Sequence, residues 1–174
     1  MNDNVYWTLF EDENWRFYLA ATMKGLCYVG TPNAPYEDLQ TWAKKRFPDR
    51  ELIEDHDVLK PYKAELSEYF KGSRASFVFP VDIHGTAFQQ EVWNTLNQIP
   101  YGQTYTYSQI AEMVKRPAAV RAVGTAIGAN PVLITVPCHR VIGKDGKLTG
   151  YRGGLEMKRF LLNLESKFPE QVKK

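Results

Sequence analysis

Residues 106–129, TYSQIAEMVKRPAAVRAVGTAIGA, decide how the second half of this 174-residue chain folds. Thr106, with Gln109 three positions on, has the capping-box pattern that opens a helix, and Ile110, Ala111 and Val114 give that helix its apolar side. Lys115-Arg116-Pro117 is a tight connection. Pro117 suits the first position of a following helix, which runs to about Ala129 before Asn130-Pro131 breaks it. Two short helices so joined have the form of a helix-turn-helix. On the second helix Val120, Val123, Gly124 and Ile127 share one side, and Ala118, Ala122, Thr125 and Ala129 share the other, with Arg121 at its edge. Solvent faces ordinarily carry long charged side chains, so an all-small face implies close approach by a partner. That partner is either another helix or a nucleic-acid groove, in which Arg121 would reach phosphates or fill a gap in the base stack.

Upstream of this stretch, Thr86 with Gln89 caps an earlier helix striped by Phe88, Val92, Trp93, Leu96 and Ile99, and Pro100-Tyr101-Gly102 stops it. The first half reads differently. Val5–Phe10, Phe17–Thr22 and Leu26–Gly30 are short aromatic and β-branched runs punctuated by turn residues, as in antiparallel strands. Leu39–Phe47 and Leu59–Phe70 have helical spacing, and Phe77–Val81 reads as a last strand. The expected fold is therefore α+β, with a small N-terminal α/β domain over 1–83 built on an antiparallel sheet. A mainly helical, winged-helix-like domain follows over 84–168, and 169–174 form a tail.

Composition is that of a soluble globular protein, with no apolar run near the length of a membrane span and an acidic N-terminus unlike a signal peptide. Two cysteines, Cys27 and Cys138, are too few for a disulfide framework, and neither forms a CxxC pair. No structural metal is expected, and the expected setting is a reducing cytoplasm. Residues 1–83 hold ten Lys and Arg against fourteen Asp and Glu; residues 84–174 hold twelve against six. The basic second half favours an anionic partner, with nucleic acid the commonest candidate.

Val136-Pro137-Cys138-His139-Arg140-Val141 lies in that basic half. Cationic and basic neighbours favour the nucleophilic thiolate, although a merely buried cysteine fits the six residues equally well. The last helix, from Leu155, carries Met157, Leu161, Leu164 and Phe168 as its apolar stripe, and Glu165 falls inside that stripe. A carboxylate facing the core needs a partner. A structural ion pair satisfies that need. So does a role in orienting His139, which would in turn activate Cys138 as in a nucleophile–base–orienter set. Cys27 reads as a small core residue, and His56 and His84 as surface or turn residues.

Taken together, residues 86–166 closely resemble the methylated-DNA–protein-cysteine methyltransferases, the O6-alkylguanine-DNA alkyltransferase family. The resemblance rests on Asn130-Pro131, Pro137–Val141 and Gly150-Tyr151-Arg152-Gly153-Gly154-Leu155 with Lys158. Pro100-Tyr101-Gly102, Thr106-Tyr107 and Ala119–Gly124 agree with it in order and spacing. The resemblance implies single-use repair, with Cys138 accepting an alkyl group from O6-alkylguanine, and from O4-methylthymine, in double-stranded DNA entered through the minor groove. His139 would be the base through a water, Glu165 its orienter, Asn130 a brace for the cysteine segment, and Tyr107 a donor to the leaving guanine. Arg121 would fill the space of the flipped nucleotide, beside Ala118, Ala119, Ala122, Gly124 and Thr125. Val141, Tyr151 and Arg152 would line the base pocket. No cofactor is implied, and a monomer is expected. Two other readings compete: a non-catalytic helix-turn-helix regulator or lesion sensor, and a thiol hydrolase.

Overall fold

The computed structural model describes residues 3–167; Phe168 and the expected tail lie outside the described residues. The first half builds a four-stranded sheet from β1 (Val5–Glu11), β2 (Arg16–Thr22), β3 (Gly25–Val29) and β4 (Leu52–Glu54) in the order β3-β2-β1-β4. The three expected strands are antiparallel neighbours. The fourth runs parallel to β1, pairing Val5 with Leu52 and Trp7 with Glu54. Its three residues, flanked by charge, are too short to show a period of two, and only pairing reveals them.

Phe77–Val81 is not a strand. Its side chains alternate between half-buried and exposed as a strand's do, yet its only pairing is an isolated bridge between Leu26 and Val81. Pro80 has no N–H to donate, so contact with β3 is limited to Leu26 N donating to the Pro80 carbonyl at 3.0 Å and Asp82 N donating to the Leu26 carbonyl at 2.8 Å. Gly25 makes this approach possible, since a Cβ there would lie 2.5 Å from the Pro80 oxygen.

Helix α1 (Tyr36–Arg46) covers one face of the sheet, packing Leu39 and Phe47 with Val5, Ala20, Cys27 and Tyr28. Helix α2 (His56–Phe70) covers the other. It starts a turn earlier than its apolar spacing suggests, because the Asp55 side chain accepts from the N–H groups of Asp57 and Val58. That cap stabilises the helix by about 1 kcal/mol. His56 is solvent-facing, and His84 is half-buried in the segment before Thr86, its Nε2 2.9 Å from Asp82 Oδ1 and its ring against Phe47.

In the second half, α3 (Ala87–Leu96) and α4 (Tyr107–Met113) both begin at complete capping boxes, on Thr86/Gln89 and Thr106/Gln109. Helix α5 (Val120–Gly128) starts three residues later than Pro117, which instead lies with Ala118 in a turn. Lys115 takes φ 62 before that turn, and Ala119 N donates to the Arg116 carbonyl. A two-residue parallel ladder joins β5 (Tyr105–Thr106) to β6 (Val141–Ile142), tying the start of α4 to the chain just after Cys138. The last helix, α6 (Leu155–Lys167), closes the domain.

The main apolar cluster belongs to neither half alone. It runs from Phe10, Phe17 and Tyr69 through Trp93, Leu96 and Ile110 to Ile127 and Leu161. Trp93 bridges α3 and α5 directly, its indole N–H donating to the Ala126 carbonyl at 2.9 Å.

Candidate active site

The end of α5 sets the position of Cys138. Asn130 is buried, and its side chain organises the loop that follows. Its amide N–H donates to the Val136 carbonyl at 3.0 Å and to the Cys138 sulfur at 3.3 Å, while its oxygen accepts from Val132 N at 2.9 Å. These bonds hold a strained segment, since Ile134 sits at φ 72, a conformation a β-branched residue rarely adopts. Cys138–Arg140 then form one 3₁₀ turn, all three side chains buried.

The turn points His139 and Arg140 at Glu165 of α6. Glu165 Oε2 accepts from His139 Nε2 at 2.7 Å, Arg140 Nη2 at 3.0 Å and the Tyr69 hydroxyl at 2.6 Å. Its Oε1 accepts from Arg140 Nε at 2.8 Å and Gly102 N at 3.3 Å. Burial opposes ionisation of Glu165, but His139, then Arg140, outweigh it and hold the carboxyl well below the usual carboxylate range. Burial drives the proton off His139, lowering it below its ordinary value against the pull of Glu165. An ionised carboxylate only accepts, so the neutral ring carries its hydrogen on Nε2 and leaves Nδ1 as a lone-pair base. That Nδ1 is buried and has no protein partner among the described residues.

Cys138 forms part of the wall of a pocket of about 370 Å³, shared with Tyr107, Gly124, Thr149, Tyr151 and Arg152. The volume is in the range of small-molecule sites. The Tyr107 hydroxyl accepts from Thr149 Oγ1 at 3.0 Å, which leaves its own hydrogen free to be donated. Tyr151 is in the wall, its hydroxyl without a protein partner among the described residues. Its ring edge explains Gly153, where a Cβ would lie 2.6 Å from it. Arg152 is also in the wall, but its guanidinium is turned to backbone carbonyls. Val141 is not in the wall. It is fully buried in the core, held there by its pairing with Tyr105.

Of the two readings of Cys138, its surroundings favour the buried, protonated thiol. Burial pushes Cys138 up, against the Asn130 hydrogen bond and the nearby charges of Arg152 and Lys158. Arg140, its neighbour in sequence, is committed to Glu165. Ionisation therefore has to be assisted. Alkylation of Cys138 by iodoacetamide, followed by peptide mapping, should still be climbing at about pH 9. A plateau by about pH 7 would mean a preformed thiolate.

On the outer side of α5, Arg121, Ala122 and Thr125 are exposed, as are Ala118 in the turn before the helix and Ala129 at its C-cap, the last beside Trp42 and Lys45 of α1. Arg121 has no ion pair among the described residues, while Thr125 Oγ1 donates to its carbonyl at 3.1 Å. Ala119 caps the helix and is half-buried, and Gly124 faces the pocket beside the Tyr107 ring. Ile127 and Gly128 of the same helix also line the pocket.

Three residues without an assigned role belong to the same site. Lys158 is fully buried, donates to the Thr149 carbonyl at 3.0 Å and is lowered by burial to about 8. It lies inside the buried stripe of α6 seven residues before Glu165, so the pattern that exposed Glu165 also exposes Lys158. Arg140 was visible only as part of a motif. Tyr69, on α2, reaches Glu165 across the whole fold, which no local pattern signals.

The description "6-O-methylguanine DNA methyltransferase, ribonuclease-like domain" matches residues 5–83, and "6-O-methylguanine DNA methyltransferase, DNA binding domain" matches 87–167. The chain is 60% identical over 168 residues to an inducible methylated-DNA–protein-cysteine methyltransferase of Bacillus subtilis, covering 97% of this chain and 94% of that one. It is 42% identical over 161 residues to a methylated-DNA–protein-cysteine methyltransferase of Methanosarcina acetivorans, covering 92% and 98%. Among solved structures, Mycobacterium tuberculosis O6-methylguanine methyltransferase superposes with a TM-score of 0.82 at 38% identity over 94% of each chain. The structure of the M. tuberculosis protein in complex with DNA superposes with a TM-score of 0.81 at 36% identity over 93% of each.

Proposed function

The chain belongs to the 6-O-methylguanine DNA methyltransferase family, and from that premise we propose that it repairs DNA by moving the alkyl group of O6-alkylguanine onto Cys138, which is consumed. O4-methylthymine is the second substrate of the same pocket. The observation that carries this reading is the placement of Cys138 in the wall of a pocket that Gly124, Ile127 and Gly128 of α5 also line, on a helix whose Arg121, Ala122 and Thr125 are exposed.

The target atom cannot be reached in the base stack, so the nucleotide leaves the duplex and enters the pocket. Helix α5 lies in the minor groove, where Ala118, Ala122, Thr125 and Ala129 allow close approach and Arg121 takes the vacated space. His139 Nδ1 takes the Cys138 proton through a water, Glu165 holding the ring in the required tautomer. The sulfur attacks the alkyl carbon, the S–C bond forms, and the bond from that carbon to O6 breaks. The electrons of the broken bond pass to the guanine, which is a better leaving group because the Tyr107 hydroxyl donates to it. The product is a thioether that water does not readily cleave, so one molecule repairs one lesion. No cofactor enters this sequence, and a monomer suffices.

Arg121→Ala separates the two halves of the mechanism. Transfer from a duplex should slow by about tenfold or more, equivalent to losing about 1.4 kcal/mol of extrusion free energy. Transfer from an isolated O6-alkylguanine base should be unchanged. Equal slowing of both would place Arg121 in the chemistry rather than in flipping.

A further inference from the structure

We infer that Arg152 is a positioning residue for the reactive thiol, acting through Asn130 and coupling the N-terminal sheet to Cys138. The inference rests on Cys138 being the alkyl acceptor. Arg152 Nη2 donates to the carbonyls of Val29, at 2.6 Å, and Pro131, at 3.1 Å, while its Nε donates to the carbonyl of Asn130 at 3.0 Å. Val29 ends β3, so a single guanidinium spans the sheet and the loop that carries the cysteine. The two segments also meet directly, Val29 N donating to the Pro131 carbonyl at 2.9 Å beside the Val29–Val132 bridge. The Tyr28 ring lies 5.8 Å from the guanidinium carbon, and Thr31 Oγ1 donates to the Arg152 carbonyl at 3.3 Å. The carbonyl held by Arg152 belongs to the residue whose side-chain amide donates to the Cys138 sulfur.

Two physical points separate this arrangement from a simple strap. A strap between carbonyls needs only a neutral donor, and burying a cation without a carboxylate carries a desolvation cost. Among the described residues Arg152 has no carboxylate partner; its contacts are carbonyls and a ring. Its charge is thus not neutralised locally and favours ionisation of the thiol with which it shares the pocket. The fork also matters, because lysine has no planar set of donors to span three carbonyls. The other charged or titratable groups about Cys138 are Lys158 of α6, Tyr107 of α4, Tyr151, and His139 with Arg140 on its own turn. Arg140 is neutralised by Glu165, which leaves Arg152 and Lys158 as the cations acting on the sulfur.

A double-mutant cycle on the full chain tests the inference, using Arg152→Gln, Asn130→Ala and both together. The readouts are single-turnover methyl transfer from an O6-methylguanine duplex and the pH dependence of Cys138 carboxamidomethylation without DNA. Each single variant should slow transfer about tenfold or more, and the double variant should be no more than about threefold slower than the slower single one. Arg152→Gln should also move the carboxamidomethylation profile to higher pH, which loss of a passive strap would not do. If Arg152→Gln does not fold, as judged by near-ultraviolet circular dichroism, Arg152→Lys replaces it in the cycle and is read by transfer rate alone, because lysine loses the fork but keeps the charge that sets the profile. Multiplicative effects, or a profile that superimposes on the parent's, would overturn the inference. A shifted profile in a protein whose Cys138 is never methylated by the duplex would instead contradict the proposed function and leave the positioning role standing.

Discussion

Glu165→Gln is expected to destabilise the fold by about 3–5 kcal/mol, the cost of leaving a buried cation without its partner. Domains of this kind are stable by only about 5–15 kcal/mol, so the variant sits close to unfolding. Five donors converge on the Glu165 carboxylate: two from Arg140 and one each from His139, Tyr69 and Gly102. Glutamine offers one accepting oxygen and brings two donors of its own into a site already full of donors. The guanidinium of Arg140 stays buried and loses its counter-charge. Urea denaturation near neutral pH measures the loss. Transfer activity should fall as well, because an amide facing His139 Nε2 no longer fixes the hydrogen there.

The same carboxylate sets an acid limb. Its folded-state value lies well below the usual range, so between about pH 4.3 and lower values the unfolded chain binds a proton that the folded chain does not. The contribution of Glu165 is therefore fully present above that range and is lost as pH falls through it. The difference in stability between parent and Glu165→Gln should shrink as the pH drops below about 4. A constant difference across that window would mean that the carboxylate is not ionised in the fold.

Cys138→Ser is expected to abolish transfer while keeping DNA affinity within about threefold of the parent. A hydroxyl is far less acidic than a thiol and a poorer nucleophile toward an alkyl carbon, so the neutral His139 cannot compensate. In the proposed mechanism binding rests elsewhere, on Arg121 and the small face of α5, and the serine hydroxyl can still accept from the Asn130 amide. Fluorescence anisotropy with a labelled lesion duplex measures the affinity. Residual transfer would move the acceptor to another residue. Loss of binding together with transfer would mean that the thiol itself anchors the base.

Much of this was readable from local chemistry. The capping boxes on Thr86 and Thr106 placed the starts of two helices to the residue, because side-chain caps act within four positions. Glu165 announced itself by standing in an apolar stripe, and His139 was among the partners that a buried carboxylate needs. What the sequence concealed was long-range. The β4 strand and the β5–β6 ladder are two or three residues each and exist only through their partners. Phe77–Val81 carried a strand's alternation without a strand's donors. The resemblance implies that Val141 is a pocket residue, but its ladder pairing turns it into the core. The state of Cys138 stayed open for a related reason: Arg140 is two residues on in sequence, yet its charge is spent on Glu165, and burial outweighs what remains.

The most direct test of the account is mass mapping after incubation with a duplex carrying one O6-methylguanine. The account predicts that the peptide containing Cys138 gains the mass of one methylene group, in proportion to the lesions repaired and never beyond one per protein molecule. The Cys27 peptide should stay unchanged, since that thiol is buried in the smaller core and burial keeps it protonated. Lesion loss with an unmodified Cys138, or more lesions repaired than protein present, would contradict it.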